Sequence, residues 1–199
     1  MRPAVLWWAD AAVTDAGSAL DGVIAAVTTA VRAHPPAGTD AVRQMYRHIG
    51  LDPTKTRPSS EALLRRVRRG DPFPRVNALV DAVNACSLEL QLPYGVYDHA
   101  ALRGAITLRL GREGEAYDGI RKDTVHIAGR LTVADDLGPF GNPTSDSARA
   151  MVTTGTRDAL VVVYAPAVTS RGRLAAVLGR TAEVIATAVG GREAERWIA

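Results

Sequence analysis

The chain has 199 residues, of which 47% are hydrophobic and 23% charged, with a formal net charge of +3. That is an ordinary globular composition, long enough to bury a core, with no internal repeat and no low-complexity segment. No apolar run reaches the ~18 residues that span a bilayer, and the single cysteine, Cys86, cannot form an internal disulfide, so a cytoplasmic, membrane-free setting is expected.

In chain order, Val5-Leu-Trp-Trp-Ala9 is too short for a signal segment and reads as a buried strand. A helical pattern runs from Thr14 to about Arg32, with Leu20, Val23, Ile24, Val27 and Val31 at three- and four-residue spacing, and His34-Pro-Pro-Ala-Gly stops it. Thr39 or Asp40 caps a second helix through Arg47. A third fills Arg57–Gly70, with Ser59 or Ser60 as cap, Glu61 in its first turn and arginines toward its end. After the rigid turn Asp71-Pro-Phe-Pro74 comes a helix from Val76 to about Gln91. Candidate strands follow at Ala105–Leu110, Glu115–Ile120, Thr124–Ile127, Leu131–Ala134 and Ala159–Tyr164. A long irregular loop from Asp135 to about Ala148 precedes the last of them, and loops of that length are usually functional. An amphipathic helix, Gly172–Ala188, leads to a tail that Trp197 anchors.

All but two of the 24 basic residues are arginine, a planar fork suited to phosphate, although a GC-rich coding sequence explains the bias equally well. Residues 57–75 concentrate Arg57, Arg65, Arg66, Arg68, Arg69 and Arg75, a basic cluster of the kind that tracks a nucleic-acid backbone. On the Val76–Leu90 helix, Val76, Leu79, Val80, Val83 and Leu90 form a core stripe. Asn77, Asp81 and Asn84 share another face, either a recognition surface or a solvated face with local hydrogen bonds. Asp135-Asp136 at a strand end suits a metal or a positioned water, although capping a turn is the commoner use of such acids. Thr144-Ser-Asp-Ser147 offers hydroxyls and a carboxylate. His34, His48, His99 and His126 lack ligand spacing, so no metal is expected, and no phosphate-binding loop or nucleophile elbow marks a cofactor or a covalent mechanism. Cys86 sits among apolar residues as a spectator thiol.

Three stretches (Arg57-Pro-Ser-Ser-Glu, Pro74-Arg-Val-Asn-Ala-Leu-Val-Asp-Ala-Val-Asn84 and Leu92-Pro-Tyr-Gly-Val-Tyr-Asp98), with Val133-Ala-Asp-Asp and Val152-Thr-Thr-Gly-Thr-Arg later, resemble the B3/B4 editing domain of phenylalanyl-tRNA synthetase β subunits. The resemblance covers about residues 45–165. It implies an α+β three-layer fold around a β-sandwich of unusual topology, with helices mainly in the N-terminal half and at the C-terminus. One domain, 1–199, with additions at both ends is expected.

The resemblance further implies a free-standing trans-editing hydrolase that cleaves a wrongly attached amino acid from tRNA with a positioned water. Asn84 falls on the family's pocket asparagine and Asp98 on its strand aspartate. Where the family has a histidine after the proline, this chain has Gly95, which is expected to open space for a substrate side chain. The family's pocket glutamate has Asp146 or Ser147 as its nearest counterparts. Asn84, Asp146 and Asp135 are therefore the catalytic candidates. Asn77, Asp81, Gly95, Asp98 and Ser147 are the substrate-binding ones, and the six arginines of 57–75 the tRNA-binding ones. A non-catalytic RNA-binding module and an amino-acid binding protein are the alternatives.

Overall fold

A computed structural model describes residues 1–34, 36, 39–120 and 123–199. Its elements are β1 (Arg2–Ala9), α1 (Asp21–Ala33), α2 (Thr39–His48), α3 (Ser59–Arg68), α4 (Ala78–Leu90), β2 (Tyr94–Asp98), β3 (Thr107–Leu110), β4 (Ala116–Asp118), β5 (Thr124–His126), β6 (Leu131–Asp135), β7 (Gly138–Gly141), β8 (Ala159–Ala165), α5 (Arg171–Val189) and β9 (Arg192–Ile198). Of the helix stop expected at 34–38, Pro35, Ala37 and Gly38 lie outside the described residues.

The strands form an antiparallel four-stranded sheet in the order β2-β8-β1-β9, a three-stranded sheet β3-β6-β7 and the ribbon β4-β5. The Val-rich β8 is central and wholly buried, which suits an apolar run rather than an alternating one. Alternation on β1 sends Ala4, Leu6 and Trp8 into the core, where α5 supplies Leu174, Val177, Leu178, Val184 and Ile185. On the other face Tyr97 of β2 meets Phe140 of β7 edge-on at 4.8 Å, joining the two sheets. Val27 and Val31 of α1, Leu64 and Val67 of α3 and Leu88 of α4 make a second cluster. The result is the expected α+β sandwich with helices against the larger sheet.

Four local expectations need correcting. Pro58, not a serine, sits at the N-cap of α3: its fixed φ leads extended chain into the helix, and its carbonyl accepts from Ala62 N at 3.0 Å. The supposed loop after Asp135 begins with β7, which pairs back onto β6 through Val133↔Gly141 and Asp135↔Gly138. The tail forms β9, an edge strand on β1. Val76 precedes α4 and is 53% exposed, while Ala82, Ala85, Cys86 and Leu88 complete a helix buried almost all round rather than along a stripe.

Candidate functional site

Where α4 passes the free edge of β2, a cavity of about 240 Å³ opens. Val76, Val80, Val83, Val96, Ile120, Met151 and Val152 give it apolar walls, and Asn84 and Asp146 are its polar side chains apart from the Tyr94 phenol. Tyr94 is committed elsewhere, sharing a hydrogen bond with Thr181 Oγ1 at 2.9 Å. Asn84 is half-buried and makes no side-chain hydrogen bond among the described residues.

Asp146 arrives on a loop that tyrosines hold. Tyr97 Oη donates to Asp146 Oδ1 at 2.7 Å and shares a 3.0 Å bond with Tyr164 Oη. Tyr46 Oη donates to the Pro143 carbonyl at 2.8 Å, and Tyr117 Oη to that of Ser145 at 2.6 Å. Asn142 closes the loop on itself, its Oδ1 accepting from the amides of Thr144 and Ser145 at 2.8 and 2.9 Å. Burial first, then the nearby Asp146 carboxylate and Tyr164, push the Tyr97 hydroxyl well above the ordinary phenol range. Burial likewise raises Tyr46, Tyr117 and Tyr164, so these hydroxyls stay protonated at any working pH.

Gly95 lies buried beneath this arrangement. Tyr97, two residues along the strand and on the same face, covers it: a Cβ at position 95 would fall 2.6 Å from Tyr97 Cζ, and one at Gly141 2.7 Å from the same atom. The space expected for a substrate side chain is therefore filled by the phenol, which enters because glycine stands on both sides of it.

The remaining sequence candidates lie away from the cavity lining. Asn77 caps α4, its Oδ1 accepting from Val80 N at 2.9 Å and its Nδ2 donating to Val152 O at 3.3 Å. Asp81 is fully buried, accepting from Arg75 Nε at 2.7 Å and from Val76 N at 2.8 Å. The three-residue polar face is thus divided: two members brace the turn into α4 and only Asn84 reaches the cavity. Asp98 accepts from Ala100 N at 3.0 Å and from Thr156 Oγ1 at 2.8 Å. Asp135 is gripped by the Arg149 fork at 2.9 and 3.0 Å and by the amides of Arg103 and Leu137. Burial raises that carboxyl, but Arg149 and the amides outweigh it and hold it below the ordinary range. Ser147 is buried next to Asp146 and accepts from Ala150 N at 3.3 Å. Burial pushes the Cys86 thiol up to about 12, and Glu89 adds to that, so it is no nucleophile at neutral pH.

The arginine cluster also divides. Arg75 links buried Asp81 to Asp21 at 2.8 Å and to the Gly17 carbonyl. Arg57 lies 3.6 Å from Glu61, a residue the Arg43 fork already holds at 2.7 and 2.8 Å. Arg66 donates to the Pro72 carbonyl and Arg69 pairs with Asp71. Arg65 and Arg68 are exposed, and their side chains have no hydrogen bond or ion pair among the described residues.

Among the described residues no group of three or more histidine, cysteine, aspartate or glutamate side chains could hold a metal ion, and no helix is long and apolar enough to cross a membrane. Sequence reasoning missed Tyr97 and the far walls of the cavity. The alternation Gly95-x-Tyr97 was the available signal, since strand neighbours two apart share a face.

The family model described as B3/4 domain matches residues 41–177. The phenylalanine–tRNA ligase beta subunit of Pseudomonas savastanoi pv. phaseolicola is 34% identical over 131 residues, covering 62% of this chain and 15% of that protein. That of Paramagnetospirillum magneticum is 38% identical over 65 residues, covering 32% of this chain and 8% of that protein. Among solved structures, an N-terminal fragment of the phenylalanyl-tRNA synthetase beta subunit from Pyrococcus horikoshii matches with a TM-score of 0.47 at 16% identity, over 58% of this chain and 42% of that one. The chain thus spans 15% or less of the length of these ligase subunits.

Proposed function

Because the chain belongs to the B3/4 domain family, we propose that it is a cytoplasmic trans-editing aminoacyl-tRNA deacylase, built as one B3/4-like domain with additions at both ends. Its relatives are phenylalanine–tRNA ligase subunits, so a substrate made of an amino acid and tRNA suits the family. The observation that carries the reading is the meeting of Asn84 and Asp146, 62 positions apart by their numbers, in one small cavity with apolar walls.

In this reading the amino-acid side chain enters between Val80, Val83, Ile120 and Val152. A water attacks the ester carbonyl carbon, and Asp146 accepts its proton. The Asn84 amide donates to the oxygen on which charge develops. The bond to the ribose oxygen then breaks, and that oxygen leaves as a hydroxyl carrying the proton. An aminoacyl ester is already activated, so positioning water and stabilising an oxyanion supply the catalysis without a covalent nucleophile. Tyr97 serves as a positioning residue, fixing the Asp146 carboxylate from behind. Arg65 and Arg68 contribute phosphate contacts.

Incubation with a panel of mischarged tRNAs tests the reading. Release of an amino acid from at least one of them, lost in Asp146→Asn, supports it, and no release from any refutes it. One feature favours a second reading, a non-catalytic RNA-binding module: Gly95 stands where the family pattern has histidine, and no histidine lines the cavity. A gel shift with uncharged tRNA, positive without deacylation, would select that module.

A further inference from the structure

The strand that borders the Asn84–Asp146 cavity, β2, pairs with β8 along one side and has no strand on the other. On the paired side the Pro93 carbonyl accepts from Tyr164 N at 2.9 Å, and His99 N donates to the Asp158 carbonyl at 2.9 Å. Both contacts continue the register Gly95↔Val162 and Tyr97↔Leu160. The odd-numbered residues of this stretch therefore turn their N–H and C=O toward β8. The even-numbered ones turn theirs away, because residues of an antiparallel pair alternate between bonded and non-bonded positions. Asp98 shows the alternation directly: its N–H donates outward, to the Ala150 carbonyl at 3.0 Å.

Val96 is the next residue of that outward-facing set. It lines the cavity and is half-buried, and its N–H and C=O make no hydrogen bond among the described residues. On one side of it the Ala150 contact closes the strand edge, and on the other Tyr94 is buried. The open edge is thus one residue long. A residue set opposite Val96 in an antiparallel pair would exchange two bonds with it. Its nitrogen would donate to the Val96 carbonyl, and its carbonyl oxygen would accept from the Val96 N–H. An extended peptide has no room to continue along this edge, whereas a single amino-acid unit fits it.

We propose that the aminoacyl group docks as that one residue, its α-ammonium on the Val96 carbonyl and its ester carbonyl oxygen on the Val96 N–H. The docking rests on the deacylase reading and names what the site recognises: a free α-ammonium on an L-amino acid. Residues directly opposite each other put their side chains on one face of the sheet. An L side chain therefore points as Val96 does, into the walls made by Val80, Val83 and Val152. A D side chain would point to the other face, where Tyr97 already fills the space beside Gly95. An N-acyl group would remove the ammonium and run along the strand toward the Ala150 contact. The Val96 N–H joins the Asn84 amide at the oxygen on which charge develops. It is preorganised there, because the ladder to β8 holds the strand.

The test uses the full chain with a hydrolysable and a non-hydrolysable probe. The first is the mischarged tRNA that the protein cleaves fastest, compared with the same tRNA carrying the N-acetylated or the D-amino acid. Both of these are expected to be cleaved at least about tenfold more slowly, the scale of one hydrogen bond to a charged group. Val96→Pro deletes the N–H, and proline is tolerated on an edge strand where that group faces away from the ladder. It should lower deacylation by about a hundredfold or more, as loss of one oxyanion donor does. Val96→Ala, which trims the side chain alone, should keep most of the activity. The second probe is an adenosine whose ribose carries L-leucine through an amide in place of the ester. In amide-resolved NMR it should move the Val96 N–H resonance, and its N-acetyl-leucyl counterpart should not. Such movement without release from any mischarged tRNA would refute the hydrolysis and support the docking. Equal cleavage of the acetylated or D substrate, full activity in a folded Val96→Pro, or a Val96 resonance that the leucyl amide leaves in place would overturn the docking while hydrolysis stands.

Discussion

The hydroxyl of Tyr97 donates to the carboxylate of Asp146 at 2.7 Å, and its ring occupies the space that any side chain at Gly95 would need. Two strand positions therefore act as one unit, the glycine making the room that the tyrosine uses. Gly95→Ala is expected to destabilise the protein by about 1–3 kcal/mol, the usual cost of overpacking a filled core. Urea unfolding measures it. A wild-type midpoint would mean that Tyr97 moves aside freely, and the unit would dissolve.

Tyr97→Phe keeps the ring and removes the bond to Asp146. Hydrogen bonds to charged groups contribute about 1.5–3 kcal/mol, so deacylation is expected to fall by about tenfold or more. The burial that keeps the phenol protonated implies that the loss is the same from pH 6 to 9. A loss appearing only at one end of that range would point to Tyr97 as a titrating group instead of a holder.

Asn84→Ala should cost at least about tenfold in deacylation and almost nothing in stability. Its side chain is half-buried, lines the cavity and bonds to no other described residue, while one donor to a charged transition state contributes about 1.5–3 kcal/mol. Wild-type turnover on a mischarged tRNA that the protein does cleave would remove Asn84 from the site.

The contrast with Asn77 and Asp81 shows what the sequence could and could not convey. Helical spacing puts Asn77, Asp81 and Asn84 within one sector, but it does not say that Asn77 is the extended N-cap of α4, nor what each end of that sector meets. Asn77 is spent on the α4 N-terminus and Asp81 on Arg75, whose other carboxylate partner, Asp21, lies 54 residues earlier. The buried β8 and the amphipathic α5 were legible because their apolar periods match their structures. β9 was not, since Arg-Glu-Ala-Glu-Arg has the charges that protect an edge strand rather than the pattern of a half-buried one. β7 was hidden because Gly-Pro-Phe-Gly reads as a turn, and its pairing with β6 is a tertiary fact.

Acid should unfold the protein through its paired carboxylates. The Arg109 side chain, then the Arg112 amide, hold Glu115 down from an ordinary 4.5 to about 2. Glu61 is held low chiefly by Arg43. A carboxyl depressed in the folded state stabilises fully above its unfolded value and loses that contribution as pH falls through the folded one. The melting temperature is therefore expected to drop between about pH 4.5 and 2, with Arg109→Ala flattening the drop. An unchanged acid limb in that variant would show that the Glu115 pair does not contribute to it.

The arginines between 57 and 75 should separate into two classes under mutation. Arg65 and Arg68 are exposed, with no side-chain hydrogen bond or ion pair among the described residues, so Arg65→Ser with Arg68→Ser is expected to leave stability within about 0.5 kcal/mol of wild type. The same pair should lower the slope of log affinity against log salt for tRNA by about 0.7–0.9 per lost contact, because each neutralised phosphate releases counterions on binding. Arg75→Ser should do the reverse. It strands the fully buried Asp81 carboxylate, and removing one partner of a buried pair costs about 3–5 kcal/mol. Its salt slope should stay as in wild type wherever the variant remains folded, since the guanidinium it loses already faces Asp21 and Asp81. If instead the Arg65/Arg68 double variant binds tRNA with an undiminished slope, the phosphate contacts lie elsewhere on the surface.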